Sequence, residues 1–400
     1  MEHAWEVERM EQLFRFIEEG FDEMVAIRRH LHQYPELSFE EVDTPKFIAA
    51  FHEKLGHEVR TEVGGRGVVA TLKGGRPGPT VALRADFDAL PIQEENDFEY
   101  KSKVDGAMHA CGHDGHTAAL LGLAKALNTI KGDLPGNVVF IHQHAEELPP
   151  GGAIAMIEDG CLEGVDVIFG THLWATCPLG EIGYRSGEFM AAPDRFVIKI
   201  QGYGGHGSTP ELTKDSIAIA GQLIVNMQQI VSRRVSALDS AVVSICSIEG
   251  KNPFNIIADS VTLGGTVRTF KEEVRQHIEN EIERVIRGTC LAADADYTYT
   301  YTRGYPALVN HQAETEFIAK IANLAPSVTS VQEYSPQMGG EDFAYYLQHV
   351  KGTFFYTGAA IPGRESYPHH HPKFDFDERA LLTAAQVLGN ATLQYMENNQ

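Results

Sequence analysis

The chain has 400 residues, 43% of them hydrophobic, and a formal net charge of -22 at pH 7. That length supports a well-buried core and favours two domains over one. With so acidic a balance and no long Lys/Arg tract, the phosphate-neutralising surface that nucleic-acid binding requires is missing, and no apolar run approaches the roughly 20 residues that cross a bilayer.

Residues 7–32 repeat apolar side chains at helical spacing (Leu13, Phe16, Ile17, then Phe21, Met24, Val25) and stop at Tyr34-Pro35, which predicts one or two helices. The stretch 1–11 is acidic and carries no apolar leader core, so the expected location is the cytoplasm. A helix over 45–55 follows. Strand-like and helical runs then alternate: strand 80–85, helix 117–129, strand 137–142, helix 153–159 and strand 166–171. This alternation predicts an α/β sheet covered by helices. Near Ser186 the pattern changes to strand 195–201, helix 215–235, strands 241–249 and 260–268, helix 271–291 and strand 296–302. That is the β-α-β-β-α-β succession of a ferredoxin-like module. A helix at 314–324, a strand at 353–357 and a helix at 378–396 return to the first style. The expected division is a discontinuous first domain, 1–187 with 303–400, and an inserted ferredoxin-like domain, 188–302.

Metal-capable or acidic residues fall just past predicted strand ends or before the next helix in four segments: Asp86 and Asp88, Cys111 and His113, Glu146 and Glu147, and His172. In open α/β sheets the ligand crevice lies outside the carboxyl ends of the strands, so the four segments can converge. Alone, each has an ordinary explanation as a cap, a core histidine or a solvated face. The segment MHACGHDGHTAA is the most specific, because its glycines allow a tight loop that turns a thiol and an imidazole inward together, a pair suited to Zn(II) or a similar ion. His109, Asp114 and His116 beside them read as supporting hydrogen-bonding groups. Adjacent residues on an extended chain point to opposite sides, so one of Glu146 and Glu147 can bind metal while the other serves as general acid and base. The other four of the five cysteines, Cys161, Cys177, Cys246 and Cys290, are scattered and read as packed thiols.

Eight segments in order, RRHLHQYPELSFEE (28–41), LRADFDALPI (83–92), MHACGHDGHTAALLG (108–122), Ala145-Glu146-Glu147, GTHLW (170–174), GGHGSTP (204–210), GGEDFAYY (339–346) and HHPKFDFDE (370–378), together resemble the M20 metallopeptidase superfamily. The branch most alike holds aminoacylases, N-acyl amino acid amidohydrolases, thermostable carboxypeptidases and auxin-conjugate hydrolases. The resemblance implies a mixed zinc-peptidase-like sheet covered by helices, with the inserted ferredoxin-like domain acting in dimerisation and as a lid. It implies two divalent metal ions (Zn, Mn or Co) held by Cys111, His113, Glu147, His172 and His370, the last chosen over His369 and His371 because the family's H-x-P places Pro372 two residues on. By the same likeness Glu146 is the general base, Asp88 the acidic residue near the metals, and His206 a carbonyl-polarising donor reaching across a homodimer or larger homo-oligomer. Asn255 and Arg268 match contacts to a substrate carboxylate. Gly207, Glu211, Ile257-Ala258 and HQHAEELPP depart from the family's commoner residues, which touches substrate preference and leaves ligands and base intact.

The expected activity is therefore hydrolysis of the amide bond of an N-acyl amino acid, with short peptides as the alternative substrate of a carboxypeptidase or dipeptidase and a non-catalytic metal- or peptide-binding relative as a third reading. The His144-Ala145-Glu146 step also matches the H-x-E of zinc deaminases, but their P-C-x-x-C is absent.

Overall fold

A computed structural model describes residues 2–399, with side chains from residue 8 onward. The chain divides into two compact units. One comprises residues up to Gly187, Val309–Ser335 and residues from Asp342 onward; the other is Glu188–Leu308 with Pro336–Glu341. The inserted block thus runs six residues past the expected 302 and also captures a short downstream segment.

The first unit is built on an eight-stranded mixed sheet. Its strands are β1 (Glu58–Val63), β2 (Gly67–Lys73), β3 (Arg76–Asp86), β4 (Pro135–Gln143), β5 (Val167–Trp174), β6 (Glu181–Tyr184), Ser330–Glu333 and Gly352–Gly358. The spatial order is β1, β2, β4, β3, β5, Gly352–Gly358, β6, Ser330–Glu333. At its centre β3 runs parallel to both β4 and β5, and Gly352–Gly358 runs parallel to β5. Four neighbouring strands therefore end on one side, and the central ones are apolar on both faces, as buried parallel strands require.

Helices α1 (Glu2–Glu19), α2 (Phe21–Gln33), α3 (Asp43–Leu55) and α4 (His113–Thr129) cover the sheet with the C-terminal helix Ala380–Asn398. Leu120, Leu123 and Leu127 of α4 pack with Leu381, Ala385 and Leu388 of the last helix in one core; truncating Leu123 there would cost about 2–5 kcal/mol. Gly122 lets α2 approach α4 closely, since a Cβ at that position would lie 2.3 Å from Met24. Arg28 of α2 is fully buried and joins distant parts of the chain, with Nε 2.9 Å from Asp114, Nη1 3.2 Å from Glu378 and Nη2 3.4 Å from Asp375.

The second unit carries a four-stranded antiparallel sheet in the order Ala241–Glu249, Ser260–Thr269, Ala192–Gln201, Asp296–Thr302. Helices Ser216–Met227 and Glu272–Ala292 complete the β-α-β-β-α-β succession. Its apolar face, with Ile198, Leu263, Leu223 and Ile282 fully buried, forms a core of its own. The helix expected over 215–235 stops at Met227 and yields to a wider π turn, Ile230–Arg234.

Three buried imidazoles tie α3 to the sheet: His52 Nδ1 lies 2.9 Å from His57 Nδ1, and His52 Nε2 lies 2.9 Å from His142 Nε2 on β4. Burial pushes their pKa values down, to about 2, 4 and 3 for His52, His57 and His142. Each stays neutral when folded yet protonates in the unfolded chain below about 6.5, so the stability they allow is present above that pH and is lost as pH falls toward the folded values. Between pH 7.5 and 5.5 one such histidine removes about 1.4 kcal/mol. His142→Gln keeps an acceptor for His52 and removes one proton site, so its urea midpoint should fall less over that interval than the wild type's. An equal fall would mean His142 titrates alike in both states.

Candidate metal centre and active site

Strands β4, β3 and β5 are neighbours, and their carboxyl ends deliver most of the expected site. Asp86 closes β3 and Asp88 lies two residues beyond; Glu146 and Glu147 follow Gln143, the end of β4; His172 stands within β5, whose last residue is Trp174. Cys111 and His113 arrive at the start of α4, four residues earlier than the helix predicted over 117–129. Gly112 between them has φ +88, which only glycine adopts freely, and its turn sends the thiol and the first helical imidazole into the same space. Their donor atoms and a Glu147 oxygen lie within 4.8 Å of one another.

Hydrogen bonds around the histidines show which ring nitrogens remain free. His113 Nδ1 donates to the backbone oxygen of Asp88 at 3.0 Å and to its carboxylate at 3.2 Å, leaving Nε2 uncommitted. That atom is buried without a hydrogen-bond partner, with Asp86, Glu147 and Glu146 oxygens 3.8, 3.8 and 4.0 Å away. His172 Nδ1 donates to Leu173 O at 2.9 Å, which leaves the Nε2 lone pair to meet the Cys111 thiol at 3.4 Å. His116 is different: Nδ1 donates to Asp86 at 2.6 Å and Nε2 accepts the Leu173 N–H at 2.9 Å, so no lone pair remains.

Both histidines of the 369–370 pair enter the site. His370 Nε2 lies 3.2 Å from Glu147 Oε1, an oxygen that has no hydrogen bond. His369 Nδ1 lies 3.7 Å from Cys111 Sγ while its Nε2 accepts the Ala175 N–H at 3.3 Å. The proton of neutral His369 is therefore on Nδ1, facing sulfur, and its lone pair is already used. Sequence reasoning assigned His369 nothing; only its place beside the H-x-P histidine hinted at a role.

Burial, Glu147 and Glu146 push the Cys111 thiol well above its usual range. Burial alone would lower His113, but Asp86 and Asp88 outweigh it and raise the imidazole to about 10, so without a cation Nε2 carries the proton that a bound metal would replace. Burial and then His116 hold His172 well below the ordinary value. Against its own burial, Asp86 is kept ionised by Arg84, whose guanidinium reaches Asp86 at 2.6 Å, Asp342 at 2.9 Å and Gln143 at 2.9 Å. Carboxylates and a thiol thus converge on the Nε2 atoms of two imidazoles, a set whose local charge would be satisfied by divalent cations in place of protons. The sulfur and nitrogen donors fit borderline ions such as Zn or Co, and the carboxylates also admit Mn.

His206 and Asn255 lie in the second unit. Gly205–His206 pairs with Ile256–Ile257, and Gly207 N donates to Asn255 O at 2.8 Å, so one ribbon carries both residues. His206 Nδ1 accepts the Ser208 N–H at 3.1 Å, which places its proton on the exposed Nε2. Arg268 stands on another strand, its Nη1 turned to Val267 O at 3.0 Å.

Residues 82–394 match the model of peptidase family M20/M25/M40. The chain belongs to that family. It is 60% identical to YhaA of Bacillus subtilis over 376 residues, covering 94% of this chain and 95% of that protein. This M20 member is also 46% identical to the N-acyl-L-amino acid amidohydrolase of Geobacillus stearothermophilus over 301 residues, 75% of this chain and 81% of that one. Among solved structures it resembles Bacillus subtilis YXEP, described as a dinuclear metal binding peptidase of the M20 family, with TM-score 0.81, 37% identity and coverage of 95% and 99% of the two chains. Among the described residues, no helix is long and apolar enough to cross a membrane.

Proposed function

We propose that this M20 protein is a metal-dependent amidohydrolase that cleaves the amide bond of N-acyl amino acids at a dinuclear centre held by Cys111, His113, Glu147, His172 and His370. The observation that supports the reading is the convergence of the Nε2 atoms of His113 and His172 with Cys111 and a Glu147 oxygen in one acidic cluster. The similarity to an N-acyl-L-amino acid amidohydrolase supports the reaction class, and YXEP's two metals support the stoichiometry. When bound, the two ions supply polarisation of the acyl carbonyl and acidification of the attacking water. Glu146, beside the ligand set, takes the proton from that water and delivers it to the leaving nitrogen. Asp88 fixes the His113 ring through Nδ1. His206 presents a protonated Nε2 suited to the carbonyl oxygen, and Asn255 and Arg268 are suited to the substrate carboxylate.

Supply of His206 by a second copy of the chain follows from the family likeness and makes the working unit a homodimer, with the small unit as its dimerisation and lid element. A cytoplasmic setting agrees with five free cysteines, four of them buried.

The test is turnover of N-acetyl, N-formyl, N-benzoyl and indolyl-acyl amino acids, beside dipeptides, by chelator-stripped protein reloaded with Mn(II), Co(II) or Zn(II). Cleavage of dipeptides with none of the N-acyl substrates would replace this reading by a peptidase. In the same preparation Cys111→Ala should lower bound metal and activity together; full activity at unchanged metal content would return Cys111 to a packing role.

A further inference from the structure

The loop of residues 36–41, part of the PELSFEE run, has no role in the reaction as proposed, yet its polar groups are directed at the site's frame. Glu36 accepts the N–H groups of Val42, Asp43 and Thr44 at 2.8–3.0 Å and fixes the start of α3. Ser38 Oγ donates at 2.7 Å to Asp88 Oδ2, the oxygen that also accepts the Glu147 N–H at 3.0 Å. Glu41 is fully buried; its Oε1 accepts the Ala145 N–H at 2.9 Å, and its backbone carbonyl accepts from the Arg66 guanidinium.

Ala145 is the residue immediately before Glu146, and its φ is +51. Crowding between Cβ and the backbone disfavours this left-handed conformation for alanine, and nothing in the residue's own chemistry offsets it. External contacts therefore hold it. They act at three points: the Ala145 N–H on Glu41, the Ala145 carbonyl on Gly152 N at 3.2 Å, and the Glu147 N–H on Asp88. Rotation about the Ala145 backbone swings both following glutamates at once.

We propose that Glu41 is a positioning residue that holds Ala145 in its left-handed conformation, so that Glu146 and Glu147 are both aimed into the metal site; this rests on the roles given to those glutamates above. What the turn uses is one acceptor oxygen on Glu41. A second consequence is that glycine at 145, which adopts positive φ without penalty, substitutes in part for the anchor.

Three variants test this as full-length holoenzymes: Glu41→Met, which keeps the length and removes the acceptor; Glu41→Gln, which keeps an amide oxygen; and Glu41→Met with Ala145→Gly. Metal affinity by chelator competition is read beside kcat and KM, so the positioning is tested without substrate and its failure is separable from a wrong substrate class. Glu41→Met should lower kcat roughly 100-fold with KM changed little and weaken metal binding on the order of 10-fold or more. Glu41→Gln should stay within about threefold of wild type on both readouts, since the acceptor is conserved. The double variant should recover roughly tenfold in kcat over Glu41→Met, the scale of the left-handed penalty. A folded Glu41→Met with wild-type kcat and metal affinity overturns the proposal, as does a double variant no better than the single one. Should Glu41→Met fail to fold, a folded Glu41→Gln with its activity and metal affinity lost overturns it equally.

Discussion

Glu146→Gln is expected to lose turnover by roughly 1,000-fold, within the range that a positioned general base contributes, while metal content stays near wild type. The side chain is buried, and its Oε2 lies 4.0 Å from His113 Nε2. Glutamine fills the same volume and can still orient a water, but it cannot take that water's proton or return it to the amine. Distance to His113 does not separate the two glutamates, since Glu147 lies at a similar 3.8 Å. The separation comes from the rest of the set: Glu147 also meets His370 at 3.2 Å, groups with Cys111 and His113, and keeps an oxygen without a hydrogen bond. Metal analysis of the purified variant decides the point. Loss of metal with loss of activity would exchange the roles of Glu146 and Glu147.

The second large effect concerns His206, whose proton lies on the exposed Nε2 because Ser208 occupies Nδ1. If that nitrogen serves a partner subunit's site, Glu146→Gln and His206→Ala proteins are each nearly inactive alone and regain activity when mixed and allowed to exchange. A mixed dimer has one site combining the intact Glu146 of one subunit with the intact His206 of the other, and one site lacking both. With random exchange of equal amounts, half the dimers are mixed, so about a quarter of wild-type activity should return. Native mass spectrometry establishes that mixed dimers are present. Their presence without recovered activity would place His206 in its own subunit's site, and a His206→Ala protein active by itself would place it outside catalysis.

The convergence of Asp88, Cys111, His113, Glu146, Glu147 and His172 was legible because parallel strands end on one side, and loops after neighbouring strands share one crevice. The β-α-β-β-α-β order of the second unit was legible for a similar reason: each of its elements buries one regular stripe. What escaped was weakly patterned. Strand β1 is an edge whose EVRTEV run faces solvent at most positions, so the apolar alternation that marks a strand is missing. The first turn of α4, His113-Asp114-Gly115-His116, is polar and contains glycine, which hides a helix start whose side chains bind Asp88, Arg28 and Asp86. His369 carries no pattern of its own, and its contact with Cys111 links residues 258 apart. Glu41 ends the 28–41 segment, but its partner is a backbone N–H 104 positions away, and no side-chain pattern announces a backbone partner.

The buried guanidinium of Arg28 has a consequence for how the enzyme comes into being. Its carboxylate partners are Asp114, made soon after it, and Asp375 and Glu378, 347 and 350 residues further on. His370 belongs to the same late stretch. During synthesis, then, Arg28 has only Asp114 of its three carboxylate partners, and the ligand set lacks His370, until residues 370–378 have emerged. A chain released short of residue 370 would lack two of those carboxylates and one proposed ligand, which is expected to weaken both its fold and its hold on metal and to favour its proteolysis.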